Sequence, residues 1–424
     1  VRKATVESFP NAQPYINYAT LLIEYKKQHE KALTILNQAK KVDSQNPDVY
    51  LLNSQIVGQS GQFNEAIKIL KDGLHYLPDH PRLTNHLAWY YTKAHQFEQA
   101  HKYLNMAKKS LNDVFDVQLT EAVWHHEQQQ YDIALPILEK LYEEQPKHSN
   151  ILAYLASIYA NIGQSERSIE ISKEFINLYP DDAEVYNTRG YAHYMLAQYK
   201  EAIRDFDKCL ELVPNHQLAQ MNRLTAYINN SSDSQLIEIM LKELLEMYPE
   251  NAIYIKTNLL SMMGRIEEAI NLITERLEDE PDNIRLLTAS AWYKPLMGIY
   301  EDALADINKA IALADNNALA GFYDTRGYIY WLLDKYQQAK EDYQRAIELA
   351  IPYEKPIYKI GLAMTFFKRN EADKAIALWN DNISLHRLLI SSKHMQREFI
   401  FAPPFYEAMR ELEALANAEA STDN

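Results

Sequence analysis

The chain has 424 residues, 47% hydrophobic and 24% charged, the proportions of an ordinary soluble protein and not of a disordered or fibrous one. Its formal net charge of −15 repels phosphate backbones and no basic stripe offsets it, which argues against nucleic-acid binding. A single cysteine, Cys209, excludes an intramolecular disulfide and a multi-cysteine metal cage, and no apolar run is long enough to span a bilayer.

From the N-terminus, a small residue recurs every 34 positions: Ala32, Ala66, Ala100, Ala134, Ser168 and Ala202. Pro78, Pro146, Pro180 and Pro214 keep the same beat. A fixed period of this size predicts stacked repeats that grow by addition, so the length does not imply several compact domains. In the unit 181–214, apolar residues recur at three- and four-residue steps on either side of a break near Leu196–Gln198, which predicts helix, turn, helix. Five residues before the anchor stand Gly61, His95, Gly163, Gly264, Gly298, Asp334 or Asn370, types that tolerate the left-handed conformation ending a helix. Three residues before it comes Phe63, Phe97, Tyr131, Tyr199, Tyr300 or Tyr336, an aromatic plug between the helices.

The beat loosens in the second half, where Ile237, Ala269, Ala303, Ala339 and Ala375 continue it at slightly unequal intervals. Eleven units are thereby anchored within residues 12–380. The polar run Asn229–Ser234 reads as a longer turn, making 229–236 an expected irregularity or hinge. Pro136 is expected in the first turn of a second helix, where it is tolerated, and Pro295 late in a first helix, which it should shorten or kink. The segment 399–405 breaks the pattern. Residues 381–418 are therefore expected to form a C-terminal helical cap, followed by a disordered tail, 419–424. Arg189 and Asp205 are 16 apart, as are Arg326 and Asp342 at the same repeat positions, which predicts an ion pair on the seam between paired helices.

Three groups of residues, Leu155-Ala156 with Tyr159 and Pro180, Arg189-Gly190 with Ala202, Phe206 and Pro214, and Arg326-Gly327 with Tyr330, Ala339, Tyr343 and Ala346, resemble the tetratricopeptide repeat family. The resemblance implies an all-α fold, a right-handed superhelical solenoid of about eleven helix-turn-helix repeats whose first helices line a concave groove. Carrying the family register over puts Asn17, Asn85, Asn187 and Asn222 on one inward rung and His86, Tyr154 and Arg223 on the next. Trp89, Tyr191, Trp292 and Tyr328 follow on a third, with Asp324 beside them. A carboxamide both donates and accepts, so it can pair with a peptide backbone of any sequence, and aromatic rings add contact area at low entropic cost.

The implied function is a non-enzymatic scaffold or adaptor that binds a protein or peptide partner, as an extended segment or a helix, in that groove. The alternative is the regulatory or substrate-recruiting solenoid of a larger enzyme whose catalytic part lies outside this chain. A clamp for a chaperone's C-terminal carboxylate is not expected, because the inward rungs lack its Lys-x-x-x-Asn helix. No catalytic, cofactor or metal site is expected either. His125 and His126 diverge by about 100° around a helix and cannot chelate together, His95 and His101 lack the spacing of a zinc helix, and no phosphate loop or nucleophile elbow occurs. Cys209, at a small-residue position inside a helix, is expected to be a buried, inert thiol. The expected compartment is cytoplasmic, or periplasmic or extracytoplasmic if a signal or anchor preceded Val1.

Overall fold

In the computed structural model the described residues are 11–24, 28–110, 114–230, 234–248, 251–314, 319–350, 355–381 and 401–422. Among them are 23 α-helices and no strand. Twenty-two helices form eleven consecutive pairs. The first four pairs are α1 Gln13–Glu24 with α2 His29–Val42, α3 Pro47–Gln59 with α4 Phe63–Tyr76, α5 Pro81–Lys93 with α6 Phe97–Ser110, and α7 Val114–Glu127 with α8 Tyr131–Glu144. The next four are α9 Ser149–Asn161 with α10 Ser165–Leu178, α11 Ala183–Met195 with α12 Tyr199–Leu212, α13 Gln217–Asn230 with α14 Ser234–Met247, and α15 Ala252–Met262 with α16 Ile266–Asp279. The last three are α17 Ile284–Tyr293 with α18 Tyr300–Leu313, α19 Leu319–Leu332 with α20 Tyr336–Leu349, and α21 Lys355–Lys368 with α22 Ala372–Asp381. A final helix, α23, runs Pro403–Thr422. The chain divides into two compact units, residues 1–158 and 159–424.

The pairing follows from the anchor residues. Ala32, Ala66, Ala100, Ala134, Ser168, Ala202, Ala269, Ala303, Ala339 and Ala375 each have no exposed surface, and Ile237 is 5% exposed. Side chains this small let two helix backbones approach, while larger apolar residues on either side fill the seam. The approach is tight where the facing residue is glycine: within a pair, a Cβ on Gly190 would lie 2.7 Å from Cε1 of the fully buried Phe206, and between successive pairs one on Gly361 of α21 would lie 2.1 Å from the Tyr343 ring of α20. Cys209, on the same seam, is fully buried, and burial pushes its thiol up to about 11.

Three residues join the helices within most pairs, and the residue five before the anchor carries a positive φ wherever it is described. The values are 75° at Gly61, 54° at His95, 60° at Gln129, 80° at Gly163, 56° at Ala197, 75° at Gly264, 77° at Gly298, 57° at Asp334 and 58° at Asn370. The following amide then bonds back to a carbonyl five residues earlier, as Gln96 does to Tyr91 at 2.9 Å and Lys335 to Tyr330 at 2.9 Å. Gln129 and Ala197 are not residues that favour this conformation. In those two turns, and at identical repeat positions, a histidine and a glutamine brace the ends: His125 Nδ1 to Gln130 Oε1 and His193 Nδ1 to Gln198 Oε1, both at 2.6 Å.

Several local expectations change. In the polar run 229–234, α13 extends to Asn230 and α14 begins at Ser234; residues 231–233, on which the expected irregularity falls, lie outside the described residues. Asn229 is helical and donates to Tyr194 Oη at 3.2 Å. Pro136 is the sixth residue of α8, a turn further in than expected, and the helix continues through it. Pro295 does shorten its helix: α17 stops at Tyr293, a 3-10 turn spans Lys294–Met297, and Gly298 closes it. Of the expected cap, 382–400 lies outside the described residues. α23 packs against α21 and α22 and runs on to Thr422, through the first four residues of the tail expected to be disordered.

Both seam ion pairs form. Arg189 donates from Nε and Nη2 to the two carboxylate oxygens of Asp205 at 2.8 and 2.6 Å, and Arg326 does the same to Asp342 at 2.7 Å each. Asp205 and Asp342 are each 6% exposed. A third pair meets the requirement differently, with Ser290 Oγ at 2.7 Å and Lys294 Nζ at 2.5 Å both donating to Asp306 Oδ2. An Arg189→Met variant leaves Asp205 buried without its cation and is expected to lose about 3–5 kcal/mol in urea unfolding. The double variant Arg189→Met/Asp205→Leu should recover most of that loss; equal losses in the two would contradict an ion-pair role for the seam.

Candidate protein-binding surface

In the first unit, four expected rung residues meet. Asn85, His86 and Trp89 on α5 and Tyr154 on α9 line one depression of about 570 Å³, together with parts of α3 and α7. Their shared location follows from the repeat: first helices of successive pairs lie side by side, so equivalent positions on α5, α7 and α9 present to one surface. Trp89 meets Tyr154 edge-on, with ring centroids 6.3 Å apart. Asn85 is only 5% exposed; its Nδ2 donates to the Asp116 carbonyl at 3.3 Å, while its Oδ1 is buried without a partner. His86 Nδ1 lies 3.0 Å from the Arg82 carbonyl.

Lys93, one turn beyond Trp89, was not singled out in the sequence. Its Nζ donates to Glu127 Oε1 at 2.7 Å and to Tyr154 Oη at 3.3 Å. Burial lowers the Lys93 ammonium, but Tyr154 and Glu127 together outweigh it and raise its pKa, so the cation is held and internally balanced. His148, also lining the depression, has a buried Nδ1 without a partner. Burial pushes His86, His148 and the adjacent His126 below the usual histidine range, His126 to about 4. His126 Nε2 is 3.1 Å from Ser157 Oγ, yet this is not a nucleophile–base–acid chain. Glu127 Oε1 is 3.9 Å from His126 Nδ1 and is committed to Lys93.

The other rung residues are placed differently. Asn17 is exposed on α1 and accepts from Gln13 Nε2 at 2.9 Å. Asn187 and Asn222 pair with each other, Asn222 Nδ2 donating to Asn187 Oδ1 at 3.2 Å. Arg223 turns toward α12, where its Nη1 meets Asp207 Oδ1 at 3.0 Å, and it lines a separate 250 Å³ cavity with Pro214 and Met240. Tyr191 is half-buried on α11. Trp292, Asp324 and Tyr328 do come together around a 240 Å³ cavity, but Phe401 and Phe405 complete its wall. Tyr328 is 1% exposed, so it is a buried wall residue and not the open contact the register implied. Trp292 also borders an open 380 Å³ slot with Tyr254, Arg285 and Phe322, and the Arg285 guanidinium lies 3.8 Å over the Tyr254 ring. Tyr254, 15 residues before Ala269 as Asn85 is before Ala100, occupies the asparagine rung of its own pair.

His126 gives a pH test. Its folded pKa is about 4 against an unfolded value near 6.5, so the unfolded chain binds more protons between those values. Stability held by the neutral imidazole is complete above that window and is lost as the pH falls through it, by about 3 kcal/mol at most. Hydrogen exchange in α7, corrected for intrinsic rates, should accelerate on acidification in the wild type and much less in His126→Gln. The same acceleration in both would contradict the assignment.

The family model described as Intraflagellar transport protein 56 matches residues 14–287, and one described as Tetratricopeptide repeat matches 320–350. The chain is similar to the human mitochondrial import receptor subunit TOM70, at 27% identity over 217 residues, covering 48% of this chain and 34% of that protein. It is similar also to DnaJ homolog subfamily C member 3 of Gallus gallus, at 22% over 216 residues, covering 47% and 43%. It thus spans well under half the length of these curated relatives. Yeast Tom70 is a similar solved structure, with 16% identity, a TM-score of 0.49, and coverage of 95% of this chain and 96% of that one. With eleven helix pairs built on one seam and a family model matching well over half its length, the chain belongs to the tetratricopeptide repeat proteins.

Proposed function

We propose that the chain is a non-enzymatic scaffold for protein–protein interaction, and that the Asn85–Tyr154 depression of the first unit takes an extended segment of a partner protein. The observation that carries this reading is the Asn85 carboxamide. Its oxygen is buried and unpaired at the wall of a 570 Å³ depression, and an unsatisfied buried acceptor costs free energy until a donor reaches it. A main-chain N–H of a partner is such a donor, and it is independent of the partner's sequence. The Trp89 and Tyr154 rings beside it offer flat apolar surface for one or two partner side chains, the kind of anchor that dominates interface energetics. A helical partner has its interior N–H groups already paired and offers free ones only in its first turn, whereas an extended segment offers them along its length. That favours an extended segment.

Relatives that include an import receptor subunit fit a protein-binding role without identifying the partner. Capture by the immobilised wild-type chain is compared with capture by Asn85→Ala and Trp89→Ala variants of equal helicity. Each substitution is expected to weaken retained partners by about 1–3 kcal/mol, roughly five- to 150-fold. If both variants retain every protein that the wild type retains, the depression is not the binding surface.

A further inference from the structure

The chain entering α23 reaches back further than a cap requires. Capping is accomplished by α23 itself, which packs on α21 and α22 through the buried Ala408, Met409 and Leu412. The residues just before and at its start extend to earlier pairs. Phe401 lies 5.8 Å from Trp292 of α17 and 5.4 Å from Tyr328 of α19, ring centroid to ring centroid, both edge-on. Phe405 lies 5.3 Å from Tyr328 and 4.8 Å from Trp331, and stacks on Phe401 at 4.8 Å. Between them the Ala402 amide donates to Tyr328 Oη at 2.5 Å, across 74 residues of sequence. Ala402, Phe405 and Tyr328 are each 1% exposed.

Each element of this contact is one by which a groove holds a peptide: two aromatic side chains on an aromatic rung, one main-chain donor on a fixed hydroxyl, and Pro403-Pro404 limiting the segment's freedom before it binds. Trp292 and Tyr328 occupy the same inward position of their pairs as Trp89 does in the first unit. The rung is also only half covered, because Trp292 meets Phe401 and in addition borders the open slot beside Tyr254 and Phe322.

We propose that the Trp292–Tyr328 rung is a receptor site for aromatic–Ala–Pro–Pro–aromatic segments, filled in cis by residues 401–405, and that such a segment of a partner protein enters in their place. The chain then carries its own competitor, and a partner's apparent affinity is reduced by the fraction of molecules in which the site is closed. This site lies in the second unit and shares no residue with the Asn85 depression, so either reading can fail without the other.

The test uses the full chain and a fluorescein-labelled synthetic peptide bearing Phe-Ala-Pro-Pro-Phe between Gly-Ser flanks, titrated by fluorescence anisotropy. Phe401→Ala removes the half-exposed outer ring and leaves Phe405 and the α23 seat in place. It is expected to bind the peptide about tenfold or more tightly than the wild type, and adding Trp292→Ala should abolish the gain. A helical, cooperatively melting Phe401→Ala chain that binds no tighter than the wild type overturns the proposal, as does a gain indifferent to Trp292→Ala. A second measurement needs no variant: excess unlabelled peptide should remove hydrogen-exchange protection from the Ala402 amide of the wild-type chain, and unchanged protection at saturation overturns it. Concentration-dependent dimerisation of the wild type that Phe401→Ala abolishes would make a second copy the occupant, and would overturn the assignment to a partner.

Discussion

The close approach of the two helices in each pair is the constraint on which the rest depends. Small facing residues let a helix pair share a close seam, and ten of the eleven anchors are alanine or serine with no exposed surface, Ile237 being the exception. Once that contact is fixed, the length of two helices and their connections sets the spacing to the next contact, and the 34-residue beat follows. Gly190 marks a tight approach within a pair, since a single methyl group there would collide with Phe206. The arginine–aspartate bridges lie on the same seam. Their carboxylates are buried, so they are better understood as fixing the register of one helix on its partner than as adding net stability.

The turn is the second fixed element, and it shows how a local requirement can be met in more than one way. Four pairs use glycine, three use His95, Asp334 or Asn370, and two use Gln129 or Ala197, all with positive φ. The last two place side chains in a conformation that costs free energy. Those are the two turns in which a histidine ahead of the turn binds a glutamine after it. The brace ties both ends of the turn together and holds the unfavourable residue between them. Residue preference found seven of the nine positions because preference is a one-residue property; the brace is a two-residue property, visible only once the helices are in place.

The same distinction separates the legible from the illegible among the rung residues. The beat anchored eleven pairs between residues 12 and 380, and the family register carried over from the resemblance placed Asn85, His86, Trp89 and Tyr154 on inward rungs. What covers a rung is not periodic. Nothing in the repeat announces that Phe401 lies on Tyr328, because that contact joins residues in unlike parts of the chain. Nor does it announce that Asn187 and Asn222 satisfy one another, or that Arg223 leaves the rung for Asp207. A side chain's direction follows from its own helix, whereas its availability depends on every other group that reaches the same place.

The depression in the first unit is nearly free of net charge, although the chain carries −15. Acidic residues such as Glu65, Glu98, Glu166 and Glu201 lie exposed in the first turns of second helices, where they complement the helix dipole. Among the residues lining the depression, Lys93 is balanced by Glu127 and the histidines are held neutral by burial, which leaves Asp116 as the one carboxylate. If this surface takes a partner segment as proposed, long-range attraction contributes little to the choice. In the proposed binding, selection would come from hydrogen-bond geometry at Asn85 and from the fit of side chains against Trp89 and Tyr154, both of which act over contact distances and are weakly screened by salt. The aromatic rung proposed as a site in the second unit would work in the same way, with one hydroxyl and several rings in place of a carboxamide and two. A repeat that varies its inward residues while keeping its seam can thus present different uncharged recognition surfaces on one unchanging frame.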